Sequence, residues 1–368
     1  MGRLPLKVSP QNLRIFGLIA VLICVLLFFA TQIHNYLNKD LFIRVSTSVA
    51  IMALIAIGQT LVILTRNIDL SVGSVVGFSA FFLGGLLARN PNINPLLVVL
   101  AAVGFGSLFG MLNGLLVAYA NVPSIIVTLG TMALYRSSLV QFSGAKSIST
   151  ASLPQWLVSL PRMNVISIGG YDIRVTFVIT LVVMLLAHFA LTRLRGGRHF
   201  YAVGSNPAAA RFAGINVNWT VFIAFTLSGA LAGLTGFLFL ARFGNITVVA
   251  GLGFELKSVA SAVVGGVNIF GGSGSVIGAF LGAILVDVLD TSLVRWEVIS
   301  EFWREAVLGA LILLSVTADT LLSRKLLAIS LKKTKSTQKQ TPVFQDSLTT
   351  KKGQRLLRTT IRRISRGD

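Results

Sequence analysis

Long apolar segments recur along the whole chain and limit its possible folds more than any other feature. A helix needs about 20 mostly apolar residues to cross a bilayer. With 54% hydrophobic and only 12% charged residues, the chain has the composition of a polytopic membrane protein. We therefore expect an all-α membrane protein with about ten transmembrane helices. The ten predicted segments are Leu13–Thr31, Val45–Leu64, Ser71–Leu87, Pro95–Ala120, Ile125–Phe142, Ile173–Thr192, Trp219–Ala241, Phe254–Ile269, Ser275–Leu293 and Trp303–Leu322.

Glycine is abundant inside these segments. Ser71–Leu87 and Phe254–Ile269 are short and rich in Gly and Ser, so we expect some helices to be short or broken. Gly106, Gly110 and Gly114 recur every four residues, which places them on one helix face and permits close approach of another backbone. The pattern predicts a dense helix bundle.

Basic residues predict the orientation of the bundle. One short loop contains four arginines and no Asp or Glu; they are Arg193, Arg195, Arg198 and Arg211. The positive-inside rule assigns that loop to the cytoplasm. An even number of spans then places both termini in the cytoplasm and Phe142–Arg174 outside.

The chain ends in a basic tail. Thirteen of the 32 Lys and Arg lie beyond Ser323, with only two acidic residues among them. This tail either lies against anionic lipid or is a solvated end, and we expect no nucleic-acid partner. The predicted division is a cytoplasmic N-terminus 1–12, a transmembrane domain 13–322 and a cytoplasmic tail 323–368.

A capped helix is predicted within the basic loop, residues 193–218. Asn206 suits an N-cap, Pro207 suits the first helical position, and Gly214 suits a helix end, so Ala208–Phe212 should be helical. Such a helix is either an ordinary connection or the contact between a permease and a cytoplasmic ATPase.

Sequence motifs for catalysis are weak or absent. No phosphate-binding Gly-x-x-x-x-Gly-Lys-Ser/Thr loop occurs, so any ATP hydrolysis requires another chain. Gly271-Gly272-Ser273-Gly274 fits the pattern around the nucleophile of rhomboid-type proteases, but no histidine follows Ser273 to act as the base. We expect no enzymatic activity, no cofactor and no metal.

Acidic residues near apolar segments have either a functional or a structural role, because a charge in hydrocarbon is costly. Asp69 either caps the helix that starts near Ser71, which we favour, or lies in a solute pathway. Asp287 lies deeper in its segment than Asp290. A proton-coupled carrier would use such a residue, and a helix beside an aqueous vestibule would tolerate it.

An internal repeat links two of the glycine-rich segments. Asn67-Ile68 followed by Gly73–Gly77 recurs as Asn268-Ile269 followed by Gly274–Gly278. The similarity fits a parallel duplication in which both copies lie where an inward span turns outward. It fits chance similarity between two Gly-rich segments equally well.

Four motifs carry a resemblance to a known family. Together they resemble the permease family of bacterial ABC importers for simple sugars, the group of the ribose, xylose, rhamnose and autoinducer-2 permeases. The Thr-Arg-Asn-Ile-Asp of the first motif and the Leu-Tyr-Arg at the end of the second are most similar to the autoinducer-2 type, and the fourth contains a rhamnose-type Asn-Ile-Phe. The basic tail departs from most members. The motifs are TRNIDLSVGS at Thr65–Ser74, TLGTMALYR at Thr128–Arg136, YAVGSNPAAAR at Tyr201–Arg211 and GGVNIFGGSG at Gly265–Gly274.

The resemblance implies an importer made of several chains. Two permease subunits, identical or different, would work in the lipid membrane with a cytoplasmic ATP-binding subunit and a periplasmic substrate-binding protein. The location that this implies is the bacterial inner membrane. The alternative is a secondary carrier or channel without an ATPase. The implied ATPase-coupling residues are Gly204, Asn206, Pro207, Ala209, Ala210, Arg211 and Gly214. Candidate residues of the translocation pathway are Asn67, Asp69, Asn113, Thr128, Asn268 and Ser273.

Overall fold

The computed structural model describes residues 10–296 and scattered positions from 298 to 317. By its contacts the chain forms two units, residues 1–316 and 317–368, and the fold described below belongs to the first. The predicted tail 323–368 and most of the predicted span Trp303–Leu322 lie outside the described residues.

The described residues form a helical bundle with one small β-hairpin. Eight of the helices, namely α1 to α5, α7, α10 and α12, are long and apolar enough to cross a membrane, as expected for a multi-pass membrane protein. The elements are α1 (Pro10–Gln32), α2 (Lys39–Leu64), α3 (Val72–Arg89), α4 (Pro95–Ala118), α5 (Ser124–Ser143), α6 (Gln155–Ser159), β1 (Asn164–Ile168), β2 (Tyr171–Arg174), α7 (Val175–Arg193), α8 (Arg195–Ser205), α9 (Pro207–Phe212), α10 (Val217–Phe243), α11 (Phe254–Val264) and α12 (Val276–Arg295).

Local capping explains where several helices start. The side chains of Asn38, Asn94 and Asn216 accept hydrogen bonds from the first turns of α2, α4 and α10, and Ser275 does the same for α12. Each side chain satisfies a backbone N–H that has no partner inside its helix. The helix starts are therefore specified by short polar residues between the apolar segments.

Helix α2 forms the centre of the bundle. Its residues from Val49 to Leu64 are all buried, and it packs against α7, α10, α11 and α12. A helix that is apolar all round in this way is surrounded by protein and not by lipid.

Glycines set the packing between α4 and α10, as the sequence predicted. A Cβ atom at Gly106 would lie 2.2 Å from the carbonyl oxygen of Gly229, and one at Gly110 would lie 2.3 Å from that of Phe225. No side chain fits at such separations, so the two backbones meet directly.

The two segments expected to be short or broken behave differently. The third segment forms α3, an unbroken helix of 18 residues. The eighth forms only α11, whose 11 residues reach about 16 Å, half of a bilayer crossing. Helix α11 ends at Val264, Gly265 is its C-cap, and Gly266 leaves the helix with a positive φ of 84°. Gly265 also packs on the backbone of Gly278, where a side chain would not fit.

Four elements, namely α6, β1, β2 and α8, were absent from the prediction. Between α5 and α7 the chain forms α6 and an antiparallel hairpin of β1 and β2, and Ile148 of this region pairs with Ile246 beyond α10. Helix α8 precedes the predicted short helix. We call the end of the bundle that carries β1 and β2 the hairpin end, and the end that carries α8 and α9 the loop end.

Candidate coupling site and polar network

The short helix α9 forms as the sequence predicted. The side-chain oxygen of Asn206 accepts the N–H of Ala209 at 3.1 Å, Pro207 occupies the first turn, and Gly214 follows with φ 79°. Ala210 is buried against the bundle, whereas Phe212 is 94% exposed. One face of α9 is therefore anchored and the other is presented outward.

Helix α8 is tied to the end of α2 by Arg66. The guanidinium donates from Nε to the carbonyl oxygen of Gly204 at 2.5 Å and from Nη2 to that of Ser205 at 2.6 Å. Carbonyls in the last turn of a helix have no partner within the helix and carry partial negative charge, so a cation is favourable there. Arg66 thus supplies the C-terminal cap of α8 from another part of the chain.

Gly204 meets two other segments of backbone at this point. A Cβ atom there would lie 1.7 Å from the carbonyl oxygen of Leu64 and 2.4 Å from the nitrogen of Gly272. The N–H of Gly272 itself donates to the Leu64 carbonyl at 3.1 Å. Three segments of backbone are therefore in contact. We call this contact the Arg66 junction, and it is defined by Leu64–Arg66, Gly204–Ser205 and Gly271–Gly274.

A tyrosine reinforces the junction. The hydroxyl of Tyr201 in α8 donates to the carbonyl oxygen of Gly274 at 3.2 Å. Burial raises the pKa of the Tyr201 hydroxyl above its usual value. The hydroxyl therefore stays protonated and remains a donor at physiological pH.

The junction brings the two copies of the internal repeat to the same place. The first copy begins directly after Arg66, and the second copy includes Gly271–Gly274. In the first copy the chain turns from α2 into α3, and in the second it turns from α11 into α12. Helix α8 contacts both turns at the loop end.

A buried polar network lies beyond the junction around Asp69. Its carboxylate accepts the N–H of Ser71 at 3.0 Å, the Ser71 hydroxyl at 2.7 Å and the Ser228 hydroxyl at 3.3 Å. The Gln59 amide nitrogen lies 3.0 Å from the Asp69 carbonyl oxygen, and its amide oxygen lies 3.2 Å from the Asp69 nitrogen. Each polar group of Asp69 is therefore satisfied by the protein.

Ser71, and not Asp69, is the N-cap residue of α3. The expected cap at Asp69 is wrong in position, because Asp69 lies three residues before the first helical residue, Val72, and its carboxylate binds Ser71. The carboxylate still fixes the backbone that enters α3, as an Asx-type turn does.

The network extends into α4 and α5. Asn113 donates to the Ser71 hydroxyl at 2.8 Å and lies 3.2 Å from the Tyr135 hydroxyl, which donates to it. Thr128 donates to the carbonyl oxygen of Ile68 at 3.3 Å. Asn113 and Thr128 are fully buried, so in this conformation they link helices and meet no solute.

The predicted pathway residues thus fall into two groups. Asp69, Asn113 and Thr128 share the buried network. Asn67, Asn268 and Ser273 lie at the loop end, where Asn67 bonds back to Thr65 and Asn268 accepts the N–H of Phe270 at 2.9 Å. Ser273 lines a cavity of about 650 Å³ together with Arg198 and Tyr201.

Of the predicted coupling residues, Gly204 lies in the junction and Ala210 packs inward. Asn206, Ala209, Arg211 and Gly214 are exposed on or beside α9. Pro207 starts the helix.

The sequence-based site candidates did not include four residues that the structure places in the junction, the buried network or α9. They are Arg66, Phe212, Ser228 and Tyr135. An arginine directly after a buried span, and an exposed phenylalanine in a polar loop, were the available signals for Arg66 and Phe212. The described residues contain no group of three His, Cys, Asp or Glu placed to bind a metal.

Comparison with known proteins identifies the family. A family described as the branched-chain amino acid transport system, permease component, matches residues 41–316. The autoinducer 2 import system permease protein LsrC of Enterobacter sp. (strain 638) is 38% identical over 278 residues, which cover 76% of this chain and 78% of that protein. The LsrC proteins of Salmonella typhi and Escherichia coli O157:H7 are 36% and 35% identical and cover 84% and 92% of this chain and 86% and 95% of their own lengths. No solved structure matches the chain. Because the family match spans most of its length, this chain belongs to the transport-system permease family.

Proposed function

We propose that this chain is a permease subunit of an ATP-driven importer for a small sugar or sugar-like molecule, with autoinducer 2 as the first candidate. The observation that carries the proposal is the Arg66 junction beside α9. It joins a short exposed helix rigidly to the turns of both repeat copies. The relatives support the substrate class, since their names describe autoinducer 2 import permeases.

The mechanism follows from the rigidity of this connection. Helix α9 presents Ala209, Arg211 and Phe212 away from the bundle and is one residue away from the end of α8. An ATPase subunit that grips α9 and changes shape on hydrolysis would move α8 with it. Because α8 is bonded to the α2 end and to the loop before α12, that motion reaches the helices of the bundle.

The remaining partners are part of the same proposal. They are a second permease subunit, identical or different, and a periplasmic substrate-binding protein. We place the chain in the bacterial inner membrane with the loop end in the cytoplasm, since this end carries Arg193, Arg195, Arg198 and Arg211. Both termini are then cytoplasmic.

A second candidate is a proton-coupled carrier without an ATPase. The observation that favours it is Asp287, an acid within α12 with only 8% exposure. The two candidates differ in their energy source.

Uptake into vesicles separates these candidates. The chain is co-expressed with its ATP-binding subunit, second permease and binding protein, and uptake of labelled autoinducer 2 is measured with ATP maintained and a proton ionophore added. Continued uptake is expected for the importer. Uptake that stops with the ionophore and does not need ATP would overturn the proposal in favour of the carrier.

Substitution in α9 tests the coupling role. Ala209 is exposed, so Ala209→Trp leaves the bundle intact while its bulk separates α9 from a docked ATPase. We expect ATP hydrolysis to become uncoupled from uptake. Arg211→Lys keeps the charge but loses the planar guanidinium that pairs with carboxylates, and a large loss of uptake would indicate docking and not only topology. Wild-type uptake and co-purification in the Ala209→Trp variant would overturn the coupling role.

A further inference from the structure

A cavity of about 430 Å³ lies at the hairpin end of the bundle, far along the helices from the Arg66 junction. It is lined by the last turn of α10, the first turn of α11, the second half of α12 and the first half of α2. Its volume falls within the range of about 300–1,000 Å³ that is usual for small-molecule sites. None of the residues proposed above for the coupling role or the pathway lines it.

Charged side chains are concentrated around this cavity, although only 12% of the chain is charged. Asp287 accepts the Ser48 hydroxyl at 2.5 Å, and Lys257 is paired with Asp290 at 3.0 Å. Arg242 attracts Asp287 from the end of α10. The charged lining residues are Arg44, Arg242, Lys257, Asp287, Asp290 and Arg295.

A purely structural ion network would pair its groups fully, because an unpaired charge buried in a membrane protein is costly. Among the described residues this lining has four cations against two carboxylates; Arg44 is exposed, whereas Arg242, Lys257 and Arg295 are partly buried. In addition, the Nη1 atom of Arg295 is buried without a hydrogen-bond partner among the described residues. The lining therefore has donor capacity left for a molecule inside the cavity.

The chemistry of the lining indicates the class of that molecule. The carboxylates of Asp287 and Asp290 only accept hydrogen bonds, whereas arginine and lysine only donate them. A hydroxyl group can do both, so a molecule with several hydroxyls can bond to both kinds of lining group at once. Phe243 and Phe254 supply apolar surface for its carbon skeleton.

We propose that this cavity is a solute-binding chamber of the permease, which holds a small polyhydroxylated molecule between the ends of α2, α10, α11 and α12. The proposal rests on the proposed function for its substrate class. The Ser48–Asp287 and Lys257–Asp290 contacts are already formed, so solute hydroxyls exchange with them and binding is weak enough for release.

Thiol labelling tests occupancy directly and needs no ATPase. The single cysteine, Cys24, is exposed, and Thr291 lines the cavity. The chain carrying Cys24→Ser and Thr291→Cys is placed in nanodiscs, which leave both faces open, and labelled with a charged methanethiosulfonate. We expect labelling that ribose or autoinducer 2 slows in a saturable way and that leucine does not slow. The chain with Cys24→Ser alone gives the background.

Three results would overturn the chamber. Absence of labelling would mean that the cavity is closed to water. Labelling unaffected by ribose and by autoinducer 2 would mean that no polyol binds there. Protection by leucine but not by the polyols would assign the cavity to a zwitterionic amino acid, whose ammonium and carboxylate could also pair with both signs of charge.

Uptake kinetics test the same chamber in the complete importer. Arg242→Gln removes a lining charge, and Arg89→Gln is the matched control because Arg89 is exposed at the hairpin end outside the cavity. We expect Arg242→Gln to raise the KM for uptake about tenfold or more, as loss of a charge-assisted hydrogen bond does. The control Arg89→Gln should keep the wild-type KM, because its side chain lies outside the cavity.

The two proposals can fail separately. An unchanged KM in Arg242→Gln, with normal uptake by the wild type, would overturn the chamber and leave the importer function standing. Absence of ATP-dependent uptake by the wild type would overturn the importer function, while the labelling result would still decide whether the chamber binds polyols.

Discussion

The Nε atom of Arg66, directly after α2, lies 2.5 Å from the carbonyl oxygen of Gly204 in the last turn of α8, although 138 residues separate them in sequence. This contact closes the C-terminal end of α8 and fixes the start of α9. It also places the exposed helix next to the first repeat copy. The contact thereby connects the exposed helix α9, through α8, to the central helix α2.

Replacing Arg66 by lysine should disrupt this connection. The guanidinium reaches two carbonyl oxygens at once, whereas a lysine ammonium is a single point charge. We expect Arg66→Lys to insert normally but to lose about tenfold or more of ATP-dependent uptake, since each charge-assisted hydrogen bond contributes roughly 1.5–3 kcal/mol. Arg89→Lys, at an exposed arginine of the other end, is the control. Wild-type uptake by Arg66→Lys would show that the junction does not transmit motion.

A methyl group at Gly204 should destabilise the bundle. Its Cβ would lie 1.7 Å from the Leu64 carbonyl oxygen, so the backbones must separate, and overpacking of this kind costs about 1–3 kcal/mol. Gly196→Ala is a matched control in the same helix, because nothing lies within 4 Å of a Cβ there. Thermal unfolding followed by size-exclusion chromatography should show a lower midpoint for Gly204→Ala only. Equal midpoints would contradict the close contact.

Truncating Phe212 should weaken ATPase binding without affecting the fold. Its side chain is 94% exposed, so the folded chain loses little packing, while an exposed aromatic residue is a typical anchor of a protein interface. We expect Phe212→Ala to reduce the affinity for the ATP-binding subunit about tenfold or more, measured by co-purification and by titration in detergent. Leu252→Ala changes a residue of 68% exposure beyond α10 and should bind normally. Equal affinities for the two variants would place the docking surface elsewhere.

Asp69 should prove to be a structural residue. Asn keeps an oxygen that can accept the Ser71 N–H, so Asp69→Asn should retain much of the transport activity. Asp69→Leu leaves the Ser71 N–H and the Ser228 hydroxyl without this partner inside the bundle, at a cost of about 1–3 kcal/mol for each unsatisfied group. Thermal stability and uptake should be measured together. Loss of uptake in the Asn variant at unchanged stability would indicate instead that transport needs the charge.

Features that depend on neighbouring residues were predictable from the sequence. The apolar lengths located the eight candidate spans, and Asn206, Pro207 and Gly214 located α9, because a cap acts within about one turn of a helix. The Gly106–Gly114 face likewise predicted a close helix contact, since a missing Cβ leaves the same gap in any environment. It could not name α10 as the partner.

Features that depend on distant residues were decided only by the tertiary structure. The sequence could not show that Gly265, at the end of α11, packs on the backbone of Gly278 in α12. Nor could it separate Asn113 and Thr128 in the buried network from Asn268 and Ser273 at the loop end. By itself the sequence determined a membrane bundle with a capped helix in a basic loop, because hydrophobicity and capping act locally. The fold decided which polar groups meet, because a hydrogen bond or an ion pair requires two groups within a few ångströms, and only packing brings distant segments that close.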